Sequence, residues 1–204
     1  MKCIKWKSII ITCIVCLLPI LLGVALWNKL PDEMAIHFNF NNEPDNFASK
    51  GSAVFGLPLL MAVLQVFCCV VSDINSKKYG ECREFERASK WIIPFVTVVL
   101  YGATLGYSLG WRVDIRRVAS LILGVVFLVL GLYLPKLTYI KNYNLSPEKA
   151  KKINRFAGNG MVIMGILALL SILLPPVALV VWVCLVIVYA IITAVYGVKI
   201  AGDR

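Results

Sequence analysis

The one histidine of the chain, His37, sits among four carboxylates, Asp32, Glu33, Glu43 and Asp45, in a polar stretch covering 29–50. Imidazole and carboxylate groups in this number could bind a divalent metal or transfer protons. Their spacing matches no metal-ligand motif, and no cysteine shares the segment, so a zinc hydrolase would need an unusual carboxylate-rich shell. The chain also lacks an HExxH pair, a nucleophile elbow and a Gly-rich phosphate loop. Binding without turnover is therefore expected, with no catalytic residue, metal or cofactor. The plainer alternative for His37 is a hydrogen-bonding residue on the polar face of a short strand.

The elements that would carry these groups are short. Ile36, Phe38 and Phe40 alternate with His37, Asn39 and Asn41, the two-residue period of a half-buried strand. Asn41 to Asn46, with Pro44 and Asp45 inside it, reads as the following turn. A connection of this length is uncommon unless it has a task.

Everything around this stretch is apolar. The chain has 204 residues, 60% of them hydrophobic and only 16% charged, against about 25% charged in ordinary soluble domains. Phe156 to Val198 carry no Asp, Glu, Lys, Arg or His over 43 positions, and Pro175-Pro176 interrupts this apolar run. One span needs about 20 apolar residues, so this run holds two helices and a tight turn. The full expectation is an all-α integral membrane bundle of six helices in one domain, at 8–28, 51–72, 91–111, 118–135, 156–174 and 177–198. The connections are the loop 29–50, with a small strand and turn, a loop at 73–90 and a basic loop at 136–155.

The net charge of +10 would suggest nucleic acid in a soluble protein. Here its placement sets topology instead: with both termini inside, sixteen Lys and Arg lie on the inner side and five outside. The outer five are Lys29, Lys50, Arg112, Arg116 and Arg117. The first run is longer than a secretory-signal core, so a retained helix is expected. The seven cysteines, Cys3, Cys13, Cys16, Cys68, Cys69, Cys82 and Cys184, fall in helices or on the inner side and read as small apolar fillers rather than a disulfide framework.

The two inner connections look helical. Glu81 to Lys90 mixes acids and bases, with Glu86 and Lys90 at i,i+4, as in a solvated helical extension. Ser146-Pro147-Glu148 is a helix start with Ser as N-cap. Lys149, Lys151, Lys152 and Arg155 then alternate with Ala150, Ile153 and Phe156. This basic stub should rest on anionic headgroups with Ile153 and Phe156 in the apolar boundary, or dock a soluble partner.

The charge-free runs argue against intramembrane proteolysis, proton pumping or ion-coupled transport. Gln65, Thr97 and Thr104 could still line a polar pocket, and Pro19, Pro58 and Pro94 permit kinks. A small-solute or peptide transporter is thus the alternative function.

The segments Leu30-Pro31-Asp32-Glu33-Met34-Ala35-Ile36-His37-Phe38-Asn39, Asn42-Glu43-Pro44-Asp45-Asn46 and Ser49-Lys50-Gly51 resemble the "LP..I..HFN..GEPD...SK" signature of SdpI-type proteins, which follows their first helix. Leu134-Pro135-Lys136 and Arg155-Phe156-Ala157-Gly158 are similar to further elements near the last inner loop of that family. The "GIRTPWTL" stretch usual there has no clear counterpart, since Lys141 to Ser146 keeps only its Leu-Ser tail.

The resemblance implies a multi-pass protein of the bacterial cytoplasmic membrane that gives immunity to a secreted killing peptide and signals to a cytoplasmic regulator such as a transcriptional repressor. On that reading His37, Asn39, Asn41, Glu43 and Asp45 bind the toxin, and Phe38, Phe40 and Phe47 anchor the loop at the headgroups. Lys149, Lys151, Lys152 and Arg155 contact lipid or the cytoplasmic partner. Signalling would need a ligand with different affinity for two conformations.

Overall fold

The computed structural model describes residues 4–79, 83–137 and 145–202. Expectations for Cys3, Glu81, Cys82 and Lys141 to Asn144 fall outside these residues. Among the described residues, six helical segments are long and apolar enough to cross a membrane: Trp6–Ala25, Ser52–Ser76, Glu84–Ser108, Ile115–Lys136, Pro147–Ser171 and Val177–Gly202. The protein is a multi-pass helical membrane protein, and the described residues include a small two-stranded sheet. Its chain divides into two compact units, Met1–Ile74 with Lys90–Val118, and Asn75–Ser89 with Ala119–Arg204.

In the first unit, helices α1 (Trp6–Leu17) and α2 (Pro19–Ala25) form the first span, broken at Pro19. Strands β1 (Glu33–Phe38) and β2 (Pro44–Ser49) follow as an antiparallel hairpin. A π-helical turn, Ser52–Gly56, leads into α3 (Leu57–Tyr79). Helix α5 (Ile92–Ser108) completes the first unit, and α4 (Arg83–Ser89), which precedes it in sequence, belongs to the second.

Two prolines shape this unit. In an α-ladder the N–H four residues on satisfies each carbonyl, and proline has none to give. Pro58 therefore cannot serve Val54, and the Tyr101 hydroxyl on α5 donates to the Val54 carbonyl at 3.2 Å. Pro94 cannot serve Lys90, and Gln65 Nε2 on α3 donates to the Lys90 carbonyl at 2.8 Å. The kinks anticipated at these prolines are thus repaired reciprocally by side chains of the facing helix. Gln65, considered for a polar pocket, is buried in this contact. Thr97 and Thr104 instead donate back to Ile93 and Leu100 of their own helix.

The extension expected at Glu81 to Lys90 is helical over Arg83–Ser89, with Glu84 and Arg87 exposed, but it is not solvated at Glu86 and Lys90. Asp73 and Lys90 are only 2% and 5% exposed. Lys90 Nζ donates to Asp73 Oδ1 at 2.5 Å, and the Lys5 backbone N–H donates to Asp73 Oδ2 at 2.9 Å. Helix α3 simply continues past the apolar run, so Asp73 is a buried helical residue rather than the start of a loop. Glu86 is buried too and accepts from Ser76 Oγ at 3.0 Å.

Besides α4, the second unit contains α6 (Ile115–Tyr133) from Ala119 onward, α7 (Pro147–Ser171) and α8 (Val177–Gly202). Glycines seven residues apart place α6 against α7 at backbone contact. A Cβ on Gly131 would lie 2.7 Å from the Gly158 carbonyl, and one on Gly165 would lie 2.9 Å from the Gly124 carbonyl. Ser171 Oγ closes the same seam by donating to Ser120 Oγ at 3.0 Å. Such small-residue contacts let membrane helices gain close packing where no hydrophobic force separates helix from lipid. Pro175-Pro176 occupies the turn into α8, and Trp182 Nε1 ties α8 to the Met164 carbonyl at 2.7 Å.

Helix α7 starts as its sequence suggests, with Ser146 accepting from the Lys149 N–H and Pro147 in the first turn. It is one continuous helix, not a surface-lying stub. Ala150, Ile153 and Ala157 are buried in the protein, so Ile153 does not dip into lipid, and Asn154 Nδ2 donates to the Leu137 carbonyl at 2.9 Å.

Candidate functional site

The hairpin begins where α2 ends. Leu30 and Met34 insert into a core made by Ala53, Val54, Tyr101 and Leu105, with Leu26, Leu57 and Leu109 packed around it. This burial fixes which face of β1 is inward. Met34 and Ala35 are buried, whereas Ile36 is half exposed and Phe40 is 82% exposed. Phe38 is half-buried as expected and Phe40 lies beyond β1, so the expected alternation shows one break, at Ile36. Its cause is an irregularity in pairing between Ala35 and His37, and again between His37 and Phe38, each of which shifts the side-chain alternation.

The turn is also shorter than the sequence suggests. Pro44, Asp45 and Asn46 belong to β2, and proline is tolerated there as a first strand residue. The reversal runs from Asn39 to Glu43. Asn39 Oδ1 accepts from the N–H of Asn41 at 2.9 Å and of Glu43 at 3.0 Å, and Asn42 adopts a left-handed φ of 64°. Asparagine accepts this conformation more readily than most side chains do.

The predicted binding residues come together here, but they bind one another. His37 Nδ1 meets Asp45 Oδ1 at 2.5 Å, and Asn39 Nδ2 donates to Glu43 Oε2 at 3.1 Å. All four remain accessible at least in part, and Asn41 is exposed at the tip. The second ring nitrogen of His37 has no hydrogen bond to a described residue. Lys50 pairs with Asp32 at 3.0 Å and lies 5.5 Å from the Trp27 ring. Among the described residues no three His, Cys, Asp or Glu side chains converge on a metal position.

Sequence reasoning missed how the hairpin is held. Asn42 Nδ2 donates to the Val113 carbonyl at 3.2 Å, and Asn42 Oδ1 accepts from the Ile115 N–H at 2.8 Å. Ile115 opens α6, whose first N–H groups have no intrahelical acceptor, so the hairpin tip caps that helix. Asp114 caps it from the chain side by accepting from the Arg116 N–H at 3.0 Å. The Arg116 guanidinium grips Asp114 through Nε at 2.9 Å and Nη2 at 3.1 Å, and its Nη1 donates to the Phe40 carbonyl at 3.3 Å. This hydrogen-bonded guanidinium holds the Asp114 carboxyl below its usual range. Phe38 packs edge-on against Tyr107 of α5 at 4.7 Å, so it is engaged by protein, while Phe40 and Phe47 are exposed. A turn-prone Asn pair was visible in the sequence, but nothing there tied it to residues some 70 positions on.

The result is a rigidly mounted polar platform with exposed carboxylates on the hairpin and Arg116 and Arg117 beside it. Lys149, Lys151, Lys152 and Arg155, the other predicted contact group, lie on the first turns of α7 in the second unit.

Residues 14–62 match a domain of unknown function, DUF1648. The chain is 28% identical over 211 residues to the Immunity protein SdpI of Bacillus subtilis (strain 168), an alignment spanning 97% of this chain and 99% of that relative. No solved structure matches.

Proposed function

We infer that this chain, a member of the SdpI-type family of bacterial membrane proteins, is an immunity protein that binds a secreted killing peptide through the β1–β2 hairpin and has no enzymatic turnover. The observation that carries this reading is the mounted hairpin: its tip is bonded to Val113, Ile115 and Arg116, while His37, Asn41, Glu43 and Asp45 still face outward. A surface fixed before its ligand arrives loses little entropy on binding. Support also comes from the relative, which is named as an immunity protein and aligns over nearly the whole chain.

The platform offers a peptide two kinds of contact. Carboxylates on the hairpin suit ammonium or guanidinium groups, and exposed Phe40 and Phe47 suit an apolar face. Asn39, through its bonds to Glu43, shapes the surface. Toxin capture at this platform would shift helix packing and pass a signal to a cytoplasmic regulator only insofar as the peptide prefers one packing over another.

The test is survival. A sensitive bacterium expressing the chain is challenged with candidate killing peptides, alongside a variant carrying His37→Ala, Glu43→Ala and Asp45→Ala. Protection by the parent and its loss in the variant, with equal membrane insertion, supports the reading; equal protection by both removes the hairpin from the mechanism. Saturable peptide or solute flux in proteoliposomes would instead support a transporter.

A further inference from the structure

Beside the N-terminal turns of α7, an open cleft of about 430 Å³ lies between α7 and α8. Lys151, Lys152 and Arg155 line it, with Glu148 at one side and Phe156 and Tyr196 below. The two rings are stacked, with centroids 4.3 Å apart and planes inclined by 26°. We propose that this cleft is a binding site for the phosphodiester headgroup of an anionic glycerophospholipid.

Three observations point to a lipid rather than to solvated charge alone. The three cations are exposed and none is held in an ion pair with a described residue, so their charge is available to an anion. Against them stands one carboxylate, Glu148, which leaves the cleft positive and can accept from hydroxyls of a headgroup such as glycerol. One turn before Tyr196 on the same face, α8 carries exposed Ile192, with exposed Ile191 and Val195 on its flanks, and almost none of this helix is buried within the protein. A ligand with a phosphate above and acyl chains below matches this vertical order, and the aromatic pair marks the level where the two meet. The volume falls within the range of about 300–1,000 Å³ common to small-molecule sites.

The position of the helices adds selectivity. Residues 148, 151 or 152, and 155 recur at helical spacing, so they share the side of α7 that faces Tyr196. Lys149 lies nearby in sequence but does not line the cleft. A diffuse attraction of basic residues to an acidic membrane would treat all four cations alike, whereas a site separates Lys149 from the rest.

The experiment uses the full chain in nanodiscs of phosphatidylcholine with or without phosphatidylglycerol, read by thermal unfolding and by native mass spectrometry of retained lipid. Phosphatidylglycerol should raise the unfolding temperature and remain bound. Each of Lys151→Gln, Lys152→Gln and Arg155→Gln should weaken its retention by ~5-fold, and Lys149→Gln should not. Because all four side chains are read singly and lie on the helix exterior, a variant that fails to insert can be replaced by another of the set. Equal weakening by Lys149→Gln, or no effect of phosphatidylglycerol on the parent, overturns the site. The same stabilisation from soluble glycerol phosphate in pure phosphatidylcholine discs assigns the cleft to a free anion and overturns the lipid proposal.

Discussion

Lys90 and Asp73 form a buried ion pair at 2.5 Å, and the carboxylate also accepts from the Lys5 backbone N–H. This pair joins the start of α1, the end portion of α3 and the α4–α5 junction at one point. Truncating one partner leaves an uncompensated buried charge, a loss of about 3–5 kcal/mol. Asp73→Ala and Lys90→Ala should each lower the unfolding temperature in detergent markedly. The double change Asp73→Leu with Lys90→Met should cost much less than their sum, and strict additivity would count against the pair.

Asn42 should matter more than its neighbour Asn41. Replacing Asn42 with Ala removes both bonds to Val113 and Ile115 and also places Ala at a left-handed φ. At roughly 1 kcal/mol per hydrogen bond, amide exchange in β1 and β2 should accelerate by one to two orders of magnitude. Asn41→Ala should change exchange little. Comparable rates in both variants would mean that the hairpin is held some other way.

The docking of the hairpin beside α6 should depend on acid. The Asp114 carboxyl titrates below its unfolded value of about 3.9 because Arg116 favours its charged form. A depressed folded value means that the stabilisation is present above the unfolded value and is lost as pH falls through the folded one. Proteolysis of the 39–43 turn by an acid-active protease should therefore rise steeply only below about pH 4. Asp114→Asn should make it susceptible already at neutral pH.

The α6–α7 seam has no room for a side chain at its glycines. Gly131→Ala would put Cβ 2.7 Å from both the Gly158 carbonyl and the Val162 nitrogen, both of them backbone atoms. Overpacking of this kind costs typically 1–3 kcal/mol, measurable as a lower unfolding temperature. Gly102→Ala, which would meet nothing within 4 Å, is the matched control.

Charge-free runs made the membrane helices readable, because hydrocarbon admits few alternatives to an uncharged helix. The same rule misled at Asp73 and Lys90. A charge at the edge of an apolar run looks like the end of a span, and only the folded chain shows a partner 17 residues away. The hairpin was half legible: β1 could be read from its apolar residues, but the pairing irregularities that break its alternation at Ile36 have no local signature. Pro44 and Asp45 looked like turn residues because strand pairing, not propensity, puts them in β2. The glycine seam could have been found, since Gly124 and Gly131, and Gly158 and Gly165, repeat at seven residues and so fall on one helix face.

The crossed repair of the Pro58 and Pro94 gaps has a mechanical meaning. Tyr101 of α5 serves the π-helical turn that leads into α3, and Gln65 of α3 serves the entrance to α5. Turning or sliding either helix alone would strand two carbonyls in a medium that offers them no water, at several kcal/mol apiece. These helices are therefore bolted at two heights, and a disturbance arriving at Tyr107 through Phe38 must displace them as one beam or not at all.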